Sequence, residues 1–265
     1  MRHTASECVS RAKDLIARAD HASARHACLE LRLAIEYITY NQLQAYMREI
    51  SDEALKKWTP KQVISEMLEV DPHADQNSII AFGREYTYGV PPPPEEMKSL
   101  GEDRRFSMKW ANKNHNALGN FLHAPTMHQL ESGTVATTAA ILEKATEVAA
   151  ECEHILNSPI FNVNFGQFYE FECECGAHIR RRSGSFTQDQ GVVCHKANCR
   201  ATYDIEPREG NKIVVHLRMM YYTCKSCGEE NLVGANRVID GAIFKCEKCG
   251  KKATVEQGFR LVDED

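Results

Sequence analysis

The chain has 265 residues, 43 % hydrophobic and 26 % charged, with a formal net charge of -5, a length suited to one or two domains. A mean hydropathy of -0.45, with no apolar run near the ~18 residues of a membrane span, argues against an integral membrane protein or a membrane partner. The sequence pI near 6.1 argues against a generally basic nucleic-acid binder, so any site for a polyanion has to be local. Residues 1–20 have no apolar stretch of signal-peptide type and carry Arg11, Lys13, Asp14 and Arg18, which predicts a cytoplasmic protein. In that reducing setting the 11 cysteines point to metal binding or catalysis rather than disulfides.

Thr4 and Glu7 have capping-box spacing and predict a first helix to about Ala19. From about Ser23 to Ile50 there is no Gly or Pro, and apolar residues occupy most of the helical circumference, the pattern of a central, buried helix. Arg32 and Glu36 interrupt it at i,i+4 spacing, which predicts an ion pair on one face. Thr59-Pro60-Lys61-Gln62 supplies an N-cap, a proline at the first helical position and a capping-box glutamine; a short helix to about Glu69 follows. From Asp71-Pro72 to about Asp103 the pattern predicts a surface loop with one strand at Ser78–Phe82, and Pro91–Pro94 form a stiff spacer.

Two further helices are predicted at about Phe106–His123 and Thr126–Asn157, parted by Ala124-Pro125. In the first, Asn112, Asn116, Asn120 and His123 fall on one face, with His115 one position off that row. Asparagine is a mediocre helix former, so the row calls for a tertiary reason. It is either a hydrogen-bond ladder between helices or a polar pocket in which His123 or His115 acts on a ligand or phosphate. A helical bundle with a polar residue six positions before a histidine, here Asn116 and His123, resembles the HEPN group of small bundles, many of them metal-independent ribonucleases. That family's motif has an arginine four to six residues before the histidine; no arginine lies in that window here. The resemblance covers residues 1–157 and implies RNA cleavage or nucleotide handling by His123, His115, Asn116 and Asn120, with pairing across a homodimer of the helical domain.

Eight cysteines fall between Cys173 and Cys249, against three (Cys8, Cys28, Cys152) before them. Cys224-Lys-Ser-Cys227 and Cys246-Glu-Lys-Cys249 are separated by eighteen residues. Each knuckle offers two thiolates from one turn, and two knuckles complete a tetrahedron around zinc. Upstream, Cys173-Glu-Cys175 and Cys194-His-Lys-Ala-Asn-Cys199 are less regular, yet Cys175 and Cys194 are also separated by eighteen residues, and the surroundings match at an offset of 52. The two segments look like a tandem duplication and resemble zinc ribbons. Two structural Zn2+ ions are therefore expected, with His178 or His195 open as a substitute ligand at the first. Each segment is too small to bury a sufficient core alone, and metal supplies the missing stabilisation.

Arg180, Arg181 and Arg182 form the one tight basic cluster, with Phe186 nearby. They are candidates to grip phosphates and stack a base, or else partners of neighbouring glutamates and rings in a solvated hairpin. The sequence therefore predicts an α+β chain with an N-terminal α-helical bundle (1–158) followed by two small β-rich zinc-ribbon modules (165–210 and 215–262). Its leading function is non-enzymatic recognition of nucleic acid or a protein partner, with the helical domain for oligomerisation or specificity. The alternatives are a HEPN-like enzyme and a structural scaffold.

Overall fold

The computed structural model describes all residues except 52–53, 88–89, 163, 165–167, 183–190, 209–211 and 257–265. It divides into two compact units, Met1–Gly166 and Gln167–Asp265.

The first unit is helical: α1 (Arg2–Ala17), α2 (His21–Leu43), α3 (Pro60–Val70), α4 (Met108–Asn120), α5 (Met127–Ser132) and α6 (Thr138–Leu156). Helix α2 is central and packs on α1, α3, α4 and α6. Its buried stripe of Ala27, Cys28, Leu31, Ala34, Ile35 and Ile38 joins one continuous core, while Leu29 stays exposed. Several boundaries differ from the sequence expectation. Thr4 and Glu7 lie inside α1, which already begins at Arg2. Helix α2 starts at His21 because the Asp20 carboxylate accepts the Ser23 N–H at 2.9 Å. The expected Thr126–Asn157 helix is broken: Thr126 and Gln129 form their capping box, but Gly133 at φ 68° ends α5, and the Thr137 hydroxyl caps a new helix.

The Arg32–Glu36 pair does not form. Glu36 Oε1 instead accepts from His115 Nε2 of α4 at 2.8 Å, and the guanidinium of Arg32 lies against Gly119. The long loop contains two strands rather than one. β1 (Ser78–Phe82) pairs antiparallel with β2 (Lys98–Asp103), and the proline run lies in the connection between them. A lone strand would leave its N–H and C=O groups without ladder partners, so β1 implied a partner that the polar sequence of β2 hid. At the end of β2 a buried network forms. Arg105 donates to Asp103 Oδ2 at 2.7 Å, to the Tyr46 hydroxyl at 2.7 Å and to the Ala74 carbonyl at 3.1 Å; the Tyr46 hydroxyl donates to Asp71 at 3.0 Å.

The second unit consists of short antiparallel strands. β3 (Phe168–Glu172) pairs with β4 (His178–Arg182), and β5 (Val192–Val193), β6 (Thr202–Arg208) and β7 (Lys212–Leu217) form a three-stranded sheet. β8 (Met219–Thr223) pairs with β9 (Glu230–Gly234), and β10 (Ile243–Lys245) with β11 (Lys252–Thr254). The same order, strand–knuckle–strand twice over, thus occurs once through β6 and again through β11. Between the repeats, Arg218 pairs with Asp204 at 2.7 Å, and Asn236 Nδ2 donates to the Cys199 carbonyl at 2.7 Å.

Candidate metal centres

Each cysteine pair sits at the tip of a hairpin, where the backbone folds back on itself. Cys224 N–H donates to the Glu229 carbonyl at 2.8 Å and Cys246 N–H to the Lys251 carbonyl at 2.9 Å. In the first repeat, Cys173 N–H reaches Ala177 at 2.8 Å and Cys194 N–H reaches Ala201 at 2.7 Å. The chain leaves three of the four knuckles through a glycine of positive φ, namely Gly176, Gly228 and Gly250 at 77°, 74° and 70°. No neighbour crowds these positions, so glycine is required there by backbone conformation rather than by space. In the lengthened fourth knuckle Arg200 takes that conformation, at φ 53°.

These turns gather the eight thiols into two groups, Cys173/Cys175/Cys194/Cys199 and Cys224/Cys227/Cys246/Cys249, with all sulfurs of a group within 4.8 Å of one another. Cross-knuckle pairs stand 3.6 Å apart for Cys173–Cys199, 3.7 Å for Cys175–Cys194, and 3.6 Å for both Cys224–Cys249 and Cys227–Cys246. A disulfide needs about 2.05 Å. Thiolates about 2.3 Å from a central ion stand roughly 3.8 Å apart at the corners of a tetrahedron. The spacing therefore fits a four-sulfur metal site, and each group can hold one ion. Tetrahedral sulfur suits zinc or iron. Neither His178, which faces Glu170 at 3.3 Å, nor His195 belongs to a ligand group among the described residues.

The surroundings split the thiols of each group: Cys173, Cys224 and Cys246 are drawn down toward the thiolate, whereas Cys194, Cys199 and Cys227 are pushed up by burial and by the thiols beside them. Cys246 is drawn down to about 6, chiefly by the Cys249 backbone N–H, against burial. Burial pushes the Cys173 thiol up, but the Cys175 N–H and the Tyr203 hydroxyl outweigh it and bring it to about 7. Two side chains that the cysteine spacing did not reveal support the sulfurs. Tyr203, on β6, donates from its hydroxyl to Cys173 Sγ at 3.1 Å. The buried Asn231, on β9, reaches Cys246 Sγ at 3.7 Å while its Oδ1 accepts the Glu247 N–H at 2.9 Å. A cross-strand partner of this kind carries no sequence motif. The other three cysteines are chemically different: burial pushes Cys8 and Cys28 up to about 11, and Cys152 is raised by the same cause.

Strand alternation parts the three arginines of β4. Arg181 shares the inner face with Ile179; it is buried and donates to the Arg180 carbonyl at 2.8 Å. Arg180 and Arg182 lie on the other face with Phe168. The Arg180 guanidinium stands 3.7 Å from the Phe168 ring centroid and 2.9 Å from Glu170, and that of Arg182 stands 5.4 Å from the same ring. Phe186 lies outside the described residues.

In the helical unit the row of polar residues is divided. His115 and Asn116 line a cleft shared with residues of α2 and the start of α3. Asn120 and His123 line a different one with His21 and Arg25. Asn116 bonds to Asn112 on its own helix at 3.3 Å; among the described residues no rung of a ladder runs from this row to another helix. The arginine that comes near His115 in space is Arg32, since both line the same cleft; it is distant in sequence, where a motif could not register it. Among the described residues, no helix is long and apolar enough to cross a membrane. No family model, no curated protein and no solved structure matches the chain.

Proposed function

We propose that the chain is a non-enzymatic recognition protein whose C-terminal unit is held by two structural zinc ions and engages a protein partner. Four thiolates fill a tetrahedron and leave no open position for substrate or water, so neither metal has a catalytic role. The observation that carries the reading is one face of the β8–β9 hairpin. The register sets Tyr221 opposite Leu232 and Met219 opposite Gly234. With 70 %, 49 % and 41 % of their surfaces exposed, Tyr221, Leu232 and Met219 form a contiguous apolar face. Single exposed apolar residues are ordinary, but an aromatic–aliphatic cluster on a rigid hairpin has the composition of an interface core. The helical unit supplies oligomerisation or partner specificity.

A second reading, nucleic-acid recognition, is favoured by the Phe168 face with Arg180 and Arg182, where Arg180 is able to exchange its ion pair with Glu170 for a phosphate at little cost. One experiment separates the two. A photo-crosslinking residue is placed at Tyr221 or at Phe168 in the zinc-loaded full chain in cells, and the adduct is digested with protease or nuclease. A discrete, protease-sensitive adduct at Tyr221, lost in a Leu232→Glu background, is expected. Nuclease-sensitive adducts at Phe168 alone would replace the first reading by the second. The metal content is checked by elemental analysis, with two zinc ions per chain expected.

A further inference from the structure

The helical unit has an excess of acidic groups. Of the chain's 32 Lys+Arg and 37 Asp+Glu, 17 and 22 lie before residue 160, and they carry the whole net charge of -5. Against that background the cleft of about 400 Å³ between α2, α4 and the start of α3 is an exception. Its wall includes Arg32, Lys57 and Lys61 and, among the described residues, no carboxylate. Two acids pair with residues of this wall, Glu36 with His115 Nε2 at 2.8 Å and Glu66 with Lys57, and so offset part of its charge. Two cations remain. Among the described residues neither Arg32 nor Lys61 has a carboxylate partner, and the Arg32 guanidinium is seated where a Cβ on Gly119 would come within 1.9 Å of Nη1.

Further donors converge on the same space. The capping box expected at Thr59 does not form, because the Thr59 hydroxyl turns to Gln62 Oε1 at 2.7 Å and accepts no backbone N–H. Pro60 has no N–H and the Val63 N–H donates to the Thr59 carbonyl at 3.1 Å, so the N–H groups of Lys61 and Gln62 are the ones left open beside the cleft that Thr59–Gln62 help to line. His115 is only 4 % exposed; among the described residues nothing hydrogen-bonds its Nδ1. Trp58, largely exposed, forms one wall.

We propose that this cleft binds a small phosphomonoester carrying a flat ring: Arg32, Lys61 and the open start of α3 hold the phosphate, and Trp58 packs on the ring. Oxyanions are favoured where a helix N-terminus and a planar guanidinium face the same space. The apolar wall adds affinity only for a ligand with a ring to place on it.

The test uses the zinc-loaded full chain with Trp110→Phe, so that Trp58 is the remaining tryptophan, and follows its fluorescence during titration with phenyl phosphate, ethyl phosphate and inorganic phosphate. Saturable quenching is expected, tightest for phenyl phosphate and weakened by added salt. Arg32→Gln removes a charge-assisted hydrogen bond and should shift the midpoint about tenfold or more. Lys61→Ala, at an exposed position that does not affect folding, should also raise it. Absence of saturation at about 10 mM phenyl phosphate, or unchanged midpoints in Lys61→Ala, would overturn the site. Equal binding of phenyl and ethyl phosphate would overturn the role given to Trp58 and, with it, the ligand class.

Discussion

Removing the metal from the second repeat should abolish its fold rather than loosen it. Among the described residues its buried positions, apart from Cys224 and Cys246, are Asn231 and Gly234, and its apolar packing consists mainly of Tyr222 stacked on Phe244 at 6.0 Å. Full burial of one such side chain is worth about 1.5–3 kcal/mol, so the two partly buried rings supply less than about 6 kcal/mol. Structural zinc in peptide models contributes about 10–16 kcal/mol, two to three times as much. The first repeat has more to fall back on, with Ile179, Val192 and Tyr203 buried together and Phe171, Ile205, Val215 and Leu217 packed against them. The assay is hydrogen exchange on the full chain before and after strong chelation, with released metal measured in parallel. Peptides of β8–β11 should lose all protection, β6 and β7 should keep part of theirs, and α1, α2 and α6 should be unaffected. Protected β8–β9 amides in protein with no remaining metal would refute the reasoning.

Other expectations follow from the same contacts. Tyr203→Phe removes the donor to Cys173 Sγ and Asn231→Leu the donor to Cys246. Each should weaken metal retention about tenfold to a hundredfold in a competition titration against a chromophoric chelator, with the effect confined to its own site. Arg105→Leu strands the Asp103 carboxylate and the Ala74 carbonyl in the core of the helical unit and takes one of two partners from the Tyr46 hydroxyl; it should cost about 3–5 kcal/mol in urea unfolding, and Arg105→Leu with Asp103→Leu should recover part of that. At pH 8 an alkylating reagent applied to chelated protein should label the eight clustered cysteines. It should spare Cys8 and Cys28, whose thiols are held up to about 11 by burial, until the helices are unfolded.

The two four-cysteine groups were legible because knuckle spacing is a local property: a tight turn that presents two sulfurs is written in three to six consecutive residues. The helices were legible in existence but not in their ends, since Asp20 and Gly133 act through single hydrogen bonds and one dihedral angle that compete with equally good signals nearby. What stayed hidden was assembled across the chain. Nothing in the sequence near Cys173 marks Tyr203, and nothing near His115 marks Arg32 or Glu36. The Arg180–Arg182 run shows the opposite case, in which a cluster in sequence is taken apart by the two-residue period of a strand and one member is carried into the interior.

Gly119 ties the packing of two helices to the charge of one surface. Its backbone is that of an ordinary helical residue in the last turn of α4, so alanine would suit the helix better by up to about 1 kcal/mol. The added methyl group would occupy the place of the Arg32 guanidinium. Substitutions chosen to stiffen this helix would therefore displace a cation from the neighbouring cleft, and a more stable protein would be a less positive one at that spot. A single missing carbon sets the trade between rigidity of the bundle and the field it presents to a ligand.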